Sequence, residues 1–340
     1  MSRPKPIFIG GYMHSGTSLL FELIANSQHI FAGLKETKIL EYPSKYVGSP
    51  SEKIIHSILG NSNSMDFGEK TIITKQNFYK SYFETYEYLA ERKNNNYYLD
   101  GSPNQYLQFK NVIKHRQESK FIFIERDPRD VISSLKKRKT TTNIERYKSE
   151  KVLKIKKLEK KYYLFIHAFS IKMAYQKFKN LAKKNPQNVY MIDYADPTQN
   201  TDHVLKNISS FIGLDAPIPV KENVAVNNSA DVNAKSGEIT LRSSYKENLT
   251  RNEARFIESY FAKLYEFDGL NHRSNSLKGN IEYTLFLFKE LSKSGIGIID
   301  FIFSRILLLR SPSVFFDWVV MRLRRLFLIQ SNYSARLRAG

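Results

Sequence analysis

The sequence contains no cysteine in 340 residues. That excludes disulfides, thiolate metal ligands and a cysteine nucleophile, and with them any fold that depends on oxidised cross-links. No stretch reaches the roughly 18 uninterrupted apolar residues of a spanning helix. The longest candidates are broken by charge: Asp300 and Arg305 interrupt Ile296–Leu309, and Asp317, Arg322, Arg324 and Arg325 interrupt Val314–Ile329. A secretory leader would need about 7–15 apolar residues near the start. Here Met1–Pro6 is polar and the first apolar run, Ile7-Phe8-Ile9, leads directly into Gly10-Gly11. A cytoplasmic chain is expected. No internal repeat is visible.

What is present is a globular composition, 41% hydrophobic, 13% aromatic and 25% charged, with a net charge of +20. Such a chain has ample material for a core and is not disordered throughout. The charge is uneven: residues 135–184 carry 17 basic and 3 acidic side chains, residues 272–340 carry 11 and 4, and the remainder is near neutral. Excess positive charge suits nucleic acid, an anionic membrane surface or an anionic small molecule. No aromatic–basic recognition motif supports nucleic acid, which is not expected as a partner.

Short β-rich runs alternate with helical patterns, so the expected class is α/β, a P-loop-like three-layer fold with a central parallel sheet flanked by helices. Strands are predicted at Ile7–Ile9, Tyr97–Leu99, Phe121–Ile124 and Val189–Ile192. Helices are predicted over Thr17–Asn26, from Pro128 to about Arg138, and from Pro197 to Ile212 with Gly213 as C-cap. Between the third and fourth strands, Val152, Ile155, Leu158, Tyr162, Phe165, Ile166 and Phe169 form one apolar stripe on a long lysine-rich helix. Asn223–Gly237 is read as a polar loop. The predicted organisation is a domain over residues 1–271 and a helical, basic and apolar extension over 272–340. That extension suits a cap on the core, a dimer face, or a membrane interface where arginine meets anionic lipid.

Two local patterns carry chemistry. In the first, strand Ile7–Ile9 runs through Gly10-Gly11-Tyr12-Met13-His14-Ser15-Gly16 into the helix opened by Thr17-Ser18. Unpaired N–H groups at such a helix start favour phosphate or sulfate. Gly11 and Gly16 have the spacing of a nucleotide-triphosphatase loop, but Thr17 stands where that loop needs lysine, which argues against an ATPase. In the second, Arg126 follows a strand, where open α/β sheets bind ligands. Ser134 and Arg138, four apart on the next helix, share a face. Two guanidiniums and a hydroxyl suit a phosphate monoester.

Together these patterns resemble sulfotransferases that use 3′-phosphoadenosine 5′-phosphosulfate (PAPS), most closely the tyrosylprotein sulfotransferases, whose first motif reads F-I-G-G-x-x-R-S-G-T-T-L. The resemblance spans about residues 7–265, with Tyr194-Ala195-Asp196 and Phe211-Ile212-Gly213-Leu214 matching Y-E-D and F-L-G-L. It implies a PAPS donor with cofactor contacts at His14, Ser15, Gly16, Thr17 and Ser18 for the 5′-phosphosulfate. It places the 3′-phosphate on Arg126, Ser134 and Arg138, and adds Tyr194 and Lys246. Glu36, in Glu36-Thr37-Lys38, takes the place of the family's general base, accepting the acceptor hydroxyl's proton during in-line transfer. The acceptor expected from the resemblance is a hydroxyl, on a protein tyrosine, a glycan or a lipid-linked glycan. No metal is implied.

Two positions depart from that pattern. The cation before Ser-Gly-Thr is His14, catalytic by position. A second family lysine falls on Gly101. Losing both cations could slow transfer about 10²–10⁴-fold, so the competing expectation is a protein that binds the nucleotide but transfers poorly. Lys38 and Lys246 are the candidates to compensate.

Overall fold

A computed structural model describes residues 3–60, 71–141, 164–220, 245–267 and 280–293. Five strands form one parallel sheet: β1 (Lys5–Gly11), β2 (Ile30–Ala32), β3 (Tyr97–Asp100), β4 (Lys120–Glu125) and β5 (Val189–Asp193). Their spatial order is β2-β3-β1-β4-β5. The four sequence-predicted strands are all there. The additional edge strand, β2, is only three residues long, too short to show an alternation. The helices are α1 (Thr17–Ile24), α2 (Glu52–Leu59), α3 (Phe78–Glu91), α4 (Phe109–His115), α5 (Pro128–Thr141), α6 (Leu164–Lys184), α7 (Ala195–Gln199), α8 (Thr201–Ile212), α9 (Tyr245–Asn248) and α10 (Arg251–Phe261). A further helix spans residues 280–293.

The described residues fall into two compact units. One holds the sheet, with residues 3–125 and 177–220; the other holds described residues from 126–176 and 245–293. In the sheet unit, period-two alternation sorts side chains by shape. Ile7 and Ile9 of β1 and Ile122 and Ile124 of β4 join an aliphatic cluster with Leu19, Leu20, Leu23 and Ile24 of α1 and Val204, Leu205 and Ile208 of α8. The intervening Phe8, Phe121 and Phe123 are aromatic and also fully buried. Phe8 stacks on Phe121 with centroids 4.9 Å apart, and Phe123 on Phe178 at 4.7 Å. A parallel strand buried on both faces must be apolar on both, which is why the runs were legible.

The predicted helix from Pro197 to Ile212 is two helices. Asn200 leaves helical geometry (φ −143°, ψ 64°) and its side chain accepts from the His203 amide, capping α8. The polar cap competes with helix continuation. Gly213, at φ 83°, ends α8 in the left-handed conformation expected of it.

In the second unit α5 is anchored from within. Asp127 Oδ1 accepts from the Arg129 amide at 2.8 Å, capping the helix start. Arg129, 2% exposed, pairs with Asp127 at 2.6 Å and Glu258 at 2.8 Å. The Tyr245 amide donates to Asp130 and the Asn248 side chain to Ser133. Thr250 and Glu253 close a capping box at the start of α10, and Glu253 also receives Lys136 at 2.7 Å. The predicted stripe positions Val152, Ile155, Leu158 and Tyr162, the loop Asn223–Gly237 and the apolar segments from Ile296 onward lie outside the described residues. Among the described residues no helix is long and apolar enough to cross a membrane.

Candidate active site

Strand β1 is central, so the loop that leaves it opens between the ends of β3 and β4, where the direction of winding reverses. Phe8 pairs with Asp100 and Gly11 with Ile124. The loop carries two left-handed residues, His14 at φ 68° and Gly16 at φ 104°. Ser15 is fully buried, and its amide and hydroxyl both donate to the Tyr12 carbonyl, at 3.0 and 2.6 Å. Its side chain therefore shapes the loop from inside.

Gly16 is required twice over. Its φ disfavours any side chain, and a Cβ there would lie 2.3 Å from Cδ2 of Tyr194. Gly11 is equally tight, since a Cβ would meet Ser15 Oγ at 2.6 Å and Thr17 Cγ2 at 2.7 Å. Gly16 is the N-cap of α1 and supplies no side-chain cap, and no acidic residue lies in the first turn. The first amides of α1 therefore receive no cap from Gly16 and no first-turn carboxylate, at the positive end of the helix dipole, where an anion is favoured. Thr17 is buried and Ser18 half-buried. This cradle fits a phosphate or phosphosulfate group.

The end of β3 brings in a third element. Asp100 is fully buried and accepts from Tyr82 at 2.8 Å, from the Ser102 amide and hydroxyl at 3.1 and 3.0 Å, and from Thr37 at 3.1 Å. Burial pushes its carboxyl up from the ordinary value while those donors pull it down. The Lys38 amide donates to Ser102 Oγ at 2.9 Å, and the Gly11 amide donates to the Pro103 carbonyl at 3.2 Å. Glu36-Thr37-Lys38 is thus tied through Asp100 and Ser102 to the same strand end that braces the glycine loop. Glu36 itself is half exposed and paired with Lys38 at 3.2 Å. Asp100, Ser102 and Thr37 escaped sequence reasoning, although an aspartate closing an apolar strand before Gly-Ser-Pro was the available signal.

Gly101 occupies the position where the resemblance expects lysine. A Cβ there would stand 2.5 Å from Phe21 Cδ2 and 2.7 Å from the Lys35 carbonyl. The fold leaves no room for a side chain at this site.

Strand β4 ends at Glu125, whose carbonyl accepts from the Tyr194 amide at 2.7 Å. Its side chain is buried and lies 3.5 Å from Lys179. Burial dominates over Lys179, and with Asp193 nearby the carboxyl is raised to about 7.

In the second unit, Tyr175 is fully buried and its hydroxyl grips Arg126 at both backbone atoms. It accepts from the Arg126 amide at 3.0 Å and donates to the Arg126 carbonyl at 2.6 Å. Tyr175 was not singled out in the sequence, because nothing in a helical stripe marks one tyrosine as a backbone clamp. Ser134 is half-buried and Arg138 exposed on α5. Lys246 is exposed on α9, between Tyr245 and Asn248, both hydrogen-bonded to α5.

A family model described as Sulfotransferase family matches residues 6–217, more than half of the chain. Among solved structures, a sulfotransferase from Alicyclobacillus acidocaldarius is 16% identical with a TM-score of 0.41, covering 78% of this chain and 95% of that one. The sulfotransferase domain of the Synechococcus PCC 7002 olefin synthase is 17% identical with a TM-score of 0.43, covering 79% and 98%. A mouse sulfotransferase complexed with PAP is 15% identical with a TM-score of 0.38, covering 84% and 90%. Comparison with curated protein sequences returns no match. By the family match, with the cradle and parallel sheet that accompany it, this chain belongs to the sulfotransferase family, enzymes that move a sulfuryl group from a sulfate donor to an acceptor.

Proposed function

We propose that the donor is PAPS and that the acceptor is a hydroxyl on a protein tyrosine, a glycan or a lipid-linked glycan. The observation that carries this reading is the Thr37–Asp100 hydrogen bond, 3.1 Å long. It ties the loop bearing Glu36 to the strand end that braces the glycine loop, so carboxylate and anion cradle belong to one sheet edge.

In this proposal the amides at the start of α1, with Gly16, Thr17, Ser18 and His14, hold the 5′-phosphosulfate, while Ser15, whose amide and hydroxyl both donate to the Tyr12 carbonyl, keeps the loop in shape around it. Arg126, Ser134 and Arg138 hold the 3′-phosphate, with Tyr194 and Lys246 as further contacts. PAPS supplies an activated sulfuryl group. Glu36 accepts the acceptor's proton as the new S–O bond forms, and positioning and positive charge do the remaining work, as in phosphoryl transfer. The helix over residues 280–293 exposes Ile281, Leu285, Phe288 and Leu291, which supports keeping a lipid-linked acceptor and a peripheral contact with a cytoplasmic membrane surface within the proposal.

The closed space at Gly101 favours one second reading, a protein that binds the nucleotide and transfers slowly.

The test is transfer from PAPS to a panel of tyrosyl peptides, glycans and polyprenol-linked glycans, followed by mass spectrometry. A mass gain of one sulfuryl group is expected, lost in Glu36→Gln while that variant still binds adenosine 3′,5′-bisphosphate (PAP). Transfer undiminished in Glu36→Gln would remove the glutamate from the mechanism. Nucleotide binding with no transfer to any acceptor would favour the second reading.

A further inference from the structure

We infer that Lys38 supplies the positive charge that faces the sulfuryl group, doing from the Glu36–Lys38 loop what no side chain at position 101 can do. The inference deepens the PAPS reading and rests on it.

Sulfuryl transfer needs a cation at the reacting group. The S–O bond to the donor's 5′-phosphate breaks, its electron pair stays on that phosphate oxygen, and negative charge builds there as the S–O bond to the acceptor forms and the acceptor's proton passes to Glu36. A fixed positive charge facing the oxygens of the sulfuryl group, which PAPS carries and the spent nucleotide does not, holds that group in line between the two oxygens and lowers the barrier. The end of β3 lies beside the glycine loop, but Gly101 is closed to any side chain by Phe21 and by the Lys35 carbonyl. A flexible ring could move aside; a backbone carbonyl is far harder to displace.

Three lysines of this unit bear on the same edge, and their partners separate them. Lys35 is committed to Glu22 at 2.6 Å and is largely covered. Lys179 serves the buried Glu125 at the end of β4. Lys38 differs from both. Its amide is fastened to Ser102, the neighbour of Gly101, so its backbone lies beside the strand end at which the resemblance expects a lysine. Its ammonium is half exposed and pairs with Glu36, also exposed, at 3.2 Å. Such a surface pair costs little to open, so Lys38 can turn to an arriving anion and leave the Glu36 carboxylate to accept a proton.

The backbone at Lys38 adds independent weight. It holds φ 57°, a left-handed conformation that lysine rarely adopts. Glycine would fill that position without strain. A strained backbone that persists at a candidate site, in a residue whose side chain reaches the candidate base, points to a side chain needed there.

The same strain makes a clean test. Lys38→Gly deletes the ammonium and relaxes the backbone, so the variant folds at least as well as the wild type, which a urea melt checks. Calorimetric titration with PAPS and with PAP, both without acceptor, then reads the contact directly, because only PAPS carries the sulfuryl group. The expected result is PAP affinity unchanged within about twofold and PAPS affinity lowered about tenfold or more. Lys38→Arg should retain most of the PAPS affinity. Equal affinities for both nucleotides in wild type and Lys38→Gly would overturn the inference, as would a parallel loss of both, which would mean that Lys38 only shapes the loop. Failure of the folded wild type to bind either nucleotide would overturn the donor reading and this inference with it.

Discussion

The ring of Tyr194 lies against Gly16 so closely that a Cβ at position 16 would stand 2.3 Å from its Cδ2. The residue that starts α1 and the residue that follows β5 are therefore fitted to each other, and the anion cradle keeps its shape only while position 16 is glycine. Gly16→Ala adds a clash to a left-handed φ of 104°. It should cost about 1–3 kcal/mol from the backbone alone and weaken PAP binding. Tyr194→Ala in the same chain should recover part of the stability by removing the clash but not the strain. A double-mutant cycle by urea denaturation measures the coupling.

Tyr175→Phe removes the hydroxyl that bonds both backbone atoms of Arg126. Each hydrogen bond lost is worth about 0.5–1.5 kcal/mol. The variant should be destabilised by that order and should bind PAP more weakly, because the backbone that carries the Arg126 guanidinium loses its clamp. Denaturation and calorimetry on the same preparation check both effects.

Glu125 sets a pH dependence whose sign is fixed by burial. Its carboxyl is raised from 4.5 to about 7 in the folded chain, so the folded state holds that proton more tightly than the unfolded chain. Its contribution is most favourable below the unfolded value, is lost as pH climbs from about 4.5 to about 7, and is flat above. Glu125→Gln cannot ionise. Relative to wild type it should gain stability between pH 5 and pH 8, by about 3 kcal/mol at most. Urea melts at the two pH values give the difference; a constant offset would place the titration elsewhere.

Arg129→Met should be among the most damaging single changes in the second unit. It leaves Asp127 and the buried Glu258 without their shared guanidinium. Breaking a buried pair from one side costs about 3–5 kcal/mol. Arg129→Lys should recover little, since an ammonium cannot serve two carboxylates with a planar fork. Thermal unfolding of the three proteins ranks them.

Much of the sheet was legible because strands buried on both faces are written as uninterrupted apolar runs, as in Ile7-Phe8-Ile9 and Phe121-Ile122-Phe123-Ile124. The glycine loop was legible because Gly11 and Gly16 answer to local geometry, a close approach and a positive φ. What stayed hidden depends on contacts distant in sequence. Thr37 meets Asp100 across 63 positions and Tyr175 meets Arg126 across 49, and no local pattern records either. Asn200 was hidden for the opposite reason: its cap is local, but apolar spacing on both sides reads straight through it. Gly101 could be seen as a departure in the sequence, whereas the reason for it, the Lys35 carbonyl in the space a side chain would need, belongs to the fold alone.

The most direct test of the PAPS assignment is calorimetric titration of PAP into the wild type and Arg126→Ala. PAP is the spent donor, so the experiment needs no knowledge of the acceptor. Micromolar binding by the wild type that falls at least tenfold in a folded Arg126→Ala variant is the expected result, the loss of one charged hydrogen-bonding partner being worth about 1.5–3 kcal/mol. No binding by the folded wild type, or binding untouched by the substitution, would contradict it.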